Sequence, residues 1–425
     1  MFLFGKSKKD ENSLRSGTVE KTISRMIAVP FDAIDISDPA VLKGRLKDTD
    51  ELKFRFEEDE TYVTYKEIEY YVQFGDMSLK VAPDDPTLDS LSESTREAVL
   101  NARRAVYVDM VFSENNMESF HLQIKLLNML VPNMAALMDC ASYRMHPGRW
   151  AVLTAESAVP PSPEYMFVMH AVNDKKDNGK VWLHTHGLNR CGTIELEILG
   201  ANTENANGFG TFLNNVAARL IGDNKFIDEK EPFLAGVSTG NEDIVVTWQR
   251  SEWALKDFRK KILGGKDDRD EEHDINMGVL YVYAREKDVM EGKLTSVLKR
   301  EEQLTNNAIY YKSTEETQRM RALALERMEY LKKISEAYDE RVVLIKIGLN
   351  PDPKYDFDPD YHEYIWFEAV DMRENDFSAV LTQDAYYVDD MKEGVKAEFS
   401  YDDVVDWRVF TQERTFYPEN VYLFE

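Results

Sequence analysis

The sequence predicts an α+β protein with mixed and antiparallel sheets, packed helices, a long connector helix and a small C-terminal antiparallel β-rich domain. Three observations carry this. Short alternating or aromatic-rich segments recur between helical stripes, one charged segment near residue 320 sets its apolar residues on a single helical face, and composition shifts over the last 75 residues. The expected divisions are a flexible tail over 1–17, an α+β body over 18–295 divisible into 18–150 and 151–295, a helical connector over 296–340, and an acidic, aromatic-rich module over 341–425.

Element by element, "LKFRFEE", "TYVTYKEIEYYVQF" and "MSLKVAP" carry the β-branched and aromatic residues of neighbouring strands. Ser94 is the expected cap of a helix over Thr95 to Arg103, and "AVYVDMVF" follows as a strand. Met117, Phe120, Ile124, Leu127 and Val131 form a helical stripe that stops before Pro132. The same alternation resumes with strands at "EYMFVMHAV", "KVWLHTH" and "TIELEIL". A helix follows with Phe209, Phe212, Leu213, Val216, Ala217, Leu220 and Ile221 on one face, Asn207 as its cap and Gly222 as its stop. "EDIVVTW" and "GVLYVYA" are further strands, and the charge-dense "GGKDDRDEEHD" between them reads as a solvated loop. From Ser313 a capping box with Glu316 opens one amphipathic helix carrying Met320, Leu323, Ala324, Met328, Leu331 and Ile334 on its apolar face.

Charge bounds the partners. A net charge of −26 repels phosphate backbones, so nucleic acid is not expected and another protein, especially a basic one, is. No run of ~18 apolar residues is present to span a bilayer, and the apolar start "MFLF" precedes its lysines, unlike a secretory signal. Two distant cysteines, Cys140 and Cys191, build no disulfide framework, which places the chain in the reducing cytoplasm. Residues 351–425 hold 20 acidic against 6 basic side chains, a net of −14, together with 17 aromatics. Disordered acidic tails lack such aromatics, so this end is a folded module.

In that module "HEYIWFEAVDMRENDFSAVLTQDAYYVDDMKEGVKAEFSYDDVVDWRVF" resembles the bacterial YegJ-type domain of unknown function. The matching positions are Trp366, Phe377, Leu381, Lys392, Gly394, Asp406 and Trp407, with Ala379 in place of a glycine and Gln383 in place of an asparagine. The preceding body resembles the uncharacterised domain that accompanies this module in bacterial proteins, through "WLHTHGL" and "ELEI". The resemblance implies a two-part bacterial protein and carries no catalytic residue with it. On chemistry alone, Trp366, Phe377, Asp406 and Trp407 read as structural, and Gly394 as a turn.

Reaction chemistry concentrates in "VWLHTHGLNRCG". Residues two apart on a strand share a face, so His184 and His186 can present both imidazoles to one ion. The stretch is similar to the His-x-His strand of JAMM-type metalloproteases, in which an Asp ligand stands where Glu197 stands here. Gly187 and Ile194 depart from that pattern, replacing a proline and a serine. The metal reading takes His170, His184, His186 and Glu197 as ligands. An amidohydrolase site needs more ligands than His273 and His362 downstream supply. The competing reading is a half-buried strand with Glu195 and Glu197 on one face and a surface feature carried by Arg190. "NGFGTF" lacks the third glycine of a dinucleotide site, and a Cys191–His186 nucleophile pair sits in a strand-rich stretch where cysteines are usually inert. The expectation is therefore a cytoplasmic, non-enzymatic protein-binding or immunity-like accessory protein with no cofactor and a candidate surface at His184, His186, Arg190, Glu195 and Glu197. The alternative is a metal-dependent hydrolase built on His184 and His186.

Overall fold

A computed structural model describes residues 19–32, 36, 38–58, 60–173, 179–224, 226–258, 262–269, 273, 277–306, 308–356 and 361–424. The expected tail over 1–17 lies outside the described residues, as does most of the "DRDEEHD" run. Two units emerge: residues 1–147 with 163–311, and residues 148–162 with 312–425.

The first unit holds two sheets. One is antiparallel throughout, in the order Leu52–Glu57, Glu60–Tyr65, Ile68–Ser78, Arg104–Met110, Ser24–Pro30, Met134–Asp139, Arg144–Pro147. "TYVTYKEIEYYVQF" splits into two of these strands because Lys66 and Glu67 both take positive φ (47° and 66°), the geometry of a tight hairpin turn. "MSLKVAP" supplies no strand of its own. Met77 and Ser78 end the Ile68–Ser78 strand, which the Arg104–Met110 strand pairs as far as Ser78. The helices flanking this sheet are Glu93–Asn101, capped by Ser92 rather than Ser94, and Asn116–Leu130, capped by Asn115.

The other sheet runs Ile309–Tyr310, Phe233–Val237, Asp243–Arg250, Gly278–Tyr283, Leu196–Asn202, Lys180–His186, Val168–Asn173. Its one parallel pairing, Leu196–Asn202 with Gly278–Tyr283, makes it mixed. Helix Ala206–Gly222 covers one face, where its Gly210 meets Met169, the cross-strand partner of Thr185. It begins at Ala206 with no side-chain cap bond, one residue before the expected Asn207 cap. Residues of the 251–277 connection cover the other face, packing Ala254, Leu263 and Met277 against Trp182 and Leu199. Both faces of the Lys180–His186 strand are therefore covered, and it is buried from Val181 to His186; the neighbouring Leu196–Asn202 strand, expected to be half-buried, is buried from Leu196 to Ala201.

The second unit is a six-stranded antiparallel sheet, Lys396–Ser400, Asp376–Leu381, Glu363–Met372, Arg341–Leu349, Val404–Thr411, Thr415–Phe416. The expected connector helix is not a spacer. It breaks at Arg327 into Thr314–Glu326 and Met328–Ala337, and Ala324, Leu331 and Ile334 enter the same core as Ile345, Phe367, Phe377 and Trp407. The C-terminal stretch of the unit thus starts at Lys312, not Arg341, because a single sheet face needs a helical layer to bury it. Ser313 caps the first helix by accepting from the Glu316 amide, while the Glu316 carboxylate pairs with Arg319. Among the described residues, no helix is long and apolar enough to cross a membrane.

Candidate metal centre

Two strands and one connection bring four imidazoles together. His184 and His186 alternate with Thr185 along their strand, so both point away from helix Ala206–Gly222. On the edge strand Val168–Asn173, His170 lies directly opposite His184. The 251–277 connection adds His273 from above. One ligand nitrogen from each of His170, His184 and His186 can be chosen so that all lie within 4.8 Å of one another. The ring centroids of His184 and His186 are 4.7 and 5.0 Å from that of His273.

The nitrogens themselves decide what this cluster can do. His273 Nε2 lies 3.1 Å from His184 Nε2 and 3.2 Å from His186 Nε2. An imidazole Nε2 carries either one proton or one lone pair, so one hydrogen bond joins it to one neighbour at a time, whereas a central cation would take a lone pair from each of the three. Tetrahedral zinc with Zn–N bonds of about 2.0–2.1 Å holds its ligand nitrogens ~3.3 Å apart, close to the separations seen. Burial first, then the neighbouring His186 and His273 rings, pushes His184 down to about 3, and burial also lowers His170. Both imidazoles are neutral at neutral pH, the state that a cation requires.

The supporting shell is built from residues that the sequence offered as ligands or surface. Glu197, opposite His184, is not available to an ion. Its carboxylate accepts from Trp182 Nε1 at 2.8 Å, from the Ser251 hydroxyl and from Arg269 at 2.7 Å. This buried pair anchors Arg269, four residues before His273, to the sheet. Trp182 in turn packs against His184 at a 35° tilt, with centroids 4.3 Å apart. That contact matters because His184 Nδ1 is buried without a hydrogen-bond partner among the described residues, so packing fixes the ring where an outer hydrogen bond usually does.

Glu195 does not share the face of Glu197. The strand begins at Leu196, and Glu195 turns to the opposite side, accepting from Thr185 Oγ1 (2.7 Å) and from the amides of Gly187 (2.9 Å) and Asn189 (3.1 Å). It locks the residue between the two histidines and the turn after them. Burial raises its pKa even though these donors favour the carboxylate.

Arg190 is no surface feature. It is fully buried, with both terminal nitrogens on Asp139 at 2.7 and 2.6 Å, a further bond to the Met166 carbonyl, and the Phe112 and Phe120 rings beside it. Cys191 is also buried, and burial pushes its thiol up to about 12, so no thiolate forms there at neutral pH.

One residue near the imidazoles had no sequence signal. The Asp139–Arg144 turn places the Tyr143 ring edge-on to His186, with centroids 5.1 Å apart, and 6.1 Å from His170. His273 was legible only as a lone histidine in a charge run. The signal for it was the length of the 251–277 connection between two antiparallel neighbours, far more than a turn needs. In the second unit, Phe377, Leu381 and Trp407 are core residues, and Gly394 takes φ 85° in a turn. Lys346 and Arg408 both lie over the Trp366 ring, and Asp406 is buried, which raises its pKa.

Residues 24–161 and 169–281 match the N-terminal and C-terminal domains of the family described as "Protein of unknown function (DUF4026)". Residues 311–417 match "Uncharacterized protein conserved in bacteria (DUF2314)". No curated protein and no solved structure matches the chain. The third match starts where the second unit's helices start, and His170, His184 and His186 all fall within the second. The chain is therefore a bacterial multidomain protein that joins both DUF4026 domains to a DUF2314 domain.

Proposed function

We propose that this protein binds a divalent transition metal of the zinc class through His184, His186 and His273, with His170 as the fourth imidazole. The observation that carries the reading is the convergence of the His184 and His186 Nε2 atoms on His273 Nε2 at 3.1 and 3.2 Å, the spacing of nitrogens around one tetrahedral cation. An all-imidazole set suits zinc, copper or nickel and disfavours magnesium or calcium, which take oxygen ligands. Held by three of these neutral imidazoles, the ion would keep its full charge and an open fourth position, where a bound water would become a nucleophile near neutral pH. Metal-assisted hydrolysis is the reaction class this ligand set serves.

Protein purified without a histidine tag is expected to carry about one metal per chain by elemental analysis. His184→Ala and His186→Ala should each release it, while Glu197→Gln should weaken it on the order of 10- to 100-fold through the lost Arg269 anchor. Stoichiometric metal retained in both histidine variants, or none in the wild type, sinks the reading.

A second reading concerns the acidic unit. The net −14 of residues 351–425, with Tyr361, Tyr364 and Tyr386 exposed, supports a basic protein partner held at that surface. Such a partner should be captured at low salt and released near ~0.5 M salt, where charges are screened within a few ångströms. Capture of nothing at low salt would remove this reading. The cysteines Cys140 and Cys191, both free, fit a reducing compartment such as the cytoplasm.

A further inference from the structure

The side from which a ligand reaches the four imidazoles follows from what covers each of them. Trp182, Glu197 and Arg269 close the inner side, and His184 is almost fully buried. His170 is on the edge strand, whose exposure rises from Val168 toward Asn173, so the approach is from the edge. What stands there is Tyr143, itself 43% exposed.

Two features of Tyr143 are unexpected for a turn residue. Its φ is +51°, a left-handed conformation that glycine or asparagine adopts readily and a bulky aromatic residue rarely does. Its turn is also fastened with unusual care to the strand that carries the histidines. Asp139 accepts from the Ala141 amide at 3.2 Å and from the Ser142 hydroxyl at 2.5 Å, and the same carboxylate takes the Arg190 guanidinium, four residues after His186. Gly187 gives way at the crossing, since a Cβ there would stand 2.6 Å from the Met166 carbonyl and 3.4 Å from the Ser142 Cβ. Backbone strain that the surroundings hold in place is a pointer to function, and here the strained side chain is the ring beside His186 and His170.

We propose that Tyr143 is the specificity-determining wall of the metal site: its ring, held in a strained turn by the Asp139–Arg190 pair, narrows the open side so that only small ligands reach the ion. The inference rests on the metal reading above. The ring rather than the hydroxyl makes the wall, so phenylalanine preserves it and glycine both removes it and relieves the left-handed backbone.

The test uses the full chain loaded with cobalt(II), whose visible absorption reports ligands entering the coordination sphere. Azide serves as the small probe and free imidazole as the bulky one. Wild type and Tyr143→Phe should bind azide and discriminate against imidazole, whereas Tyr143→Gly should gain at least ~10-fold in imidazole affinity with azide affinity unchanged. A thermal melt of Tyr143→Gly no lower than wild type shows that the gain is not partial unfolding. Cobalt uptake with the same discrimination in all three proteins overturns the wall and leaves the metal reading standing. Failure of the wild-type chain to take up cobalt overturns both.

Discussion

Arg190→Ala is expected to cost the first unit about 3–5 kcal/mol of stability, the usual penalty for removing one partner of a buried ion pair. The side chain and Asp139 are both fully buried, with two bonds between them of 2.7 and 2.6 Å. Alanine would strand the Asp139 carboxylate away from water and also free the Met166 carbonyl and the flanks of Phe112 and Phe120. Arg190→Lys keeps a charge but loses the two-pronged geometry, so it should fall between alanine and wild type. Urea unfolding of the three proteins measures this, and a loss below ~1 kcal/mol for alanine would show that the pair is not what joins turn to strand.

Trp407→Ala should cost about 3–5 kcal/mol, and its effect should appear in the second unit. The indole is fully buried on the Val404–Thr411 strand, and its Nε1 donates to the Ala324 carbonyl of helix Thr314–Glu326 at 3.2 Å. Alanine leaves both a cavity and an unanswered carbonyl between helix and sheet. Trp407→Phe restores much of the volume without the donor and should cost roughly 1–2 kcal/mol. The readout is the thermal transition together with proteolysis of the 314–337 helices, which should become sensitive in the alanine variant. Unchanged protection there would mean that the helices are held independently of the sheet.

Local pattern carried most of the fold. The strand "KVWLHTH" was legible to the residue because its β-branched and aromatic run ends at Gly187, which takes φ 113°. Helix Asn116–Leu130 was legible within one residue because a stripe of apolar side chains meets Pro132. Errors came where a non-local partner overrode the local signal. The amphipathic face of Thr314–Ala337 shows that it packs, but not on what. That it completes the core of the following sheet is a fact about Ile345, Phe367 and Trp407.

For the site, the sequence by itself determined that two imidazoles share a face, since a period of two needs no tertiary information. It also identified His170 as a third candidate, and cross-strand pairing places it opposite His184. Only the tertiary structure decided the rest. Glu197 stands at the spacing of a ligand, yet Trp182, Ser251 and Arg269 converge on its oxygens and turn it into the anchor of a loop. His273 lies 87 residues from His186 in the chain and 3.2 Å from it in space. A local pattern reports which face a side chain occupies, because that follows from the backbone period. It cannot report what else shares that face, because sheet order and the path of a long connection are set by burial across the whole unit.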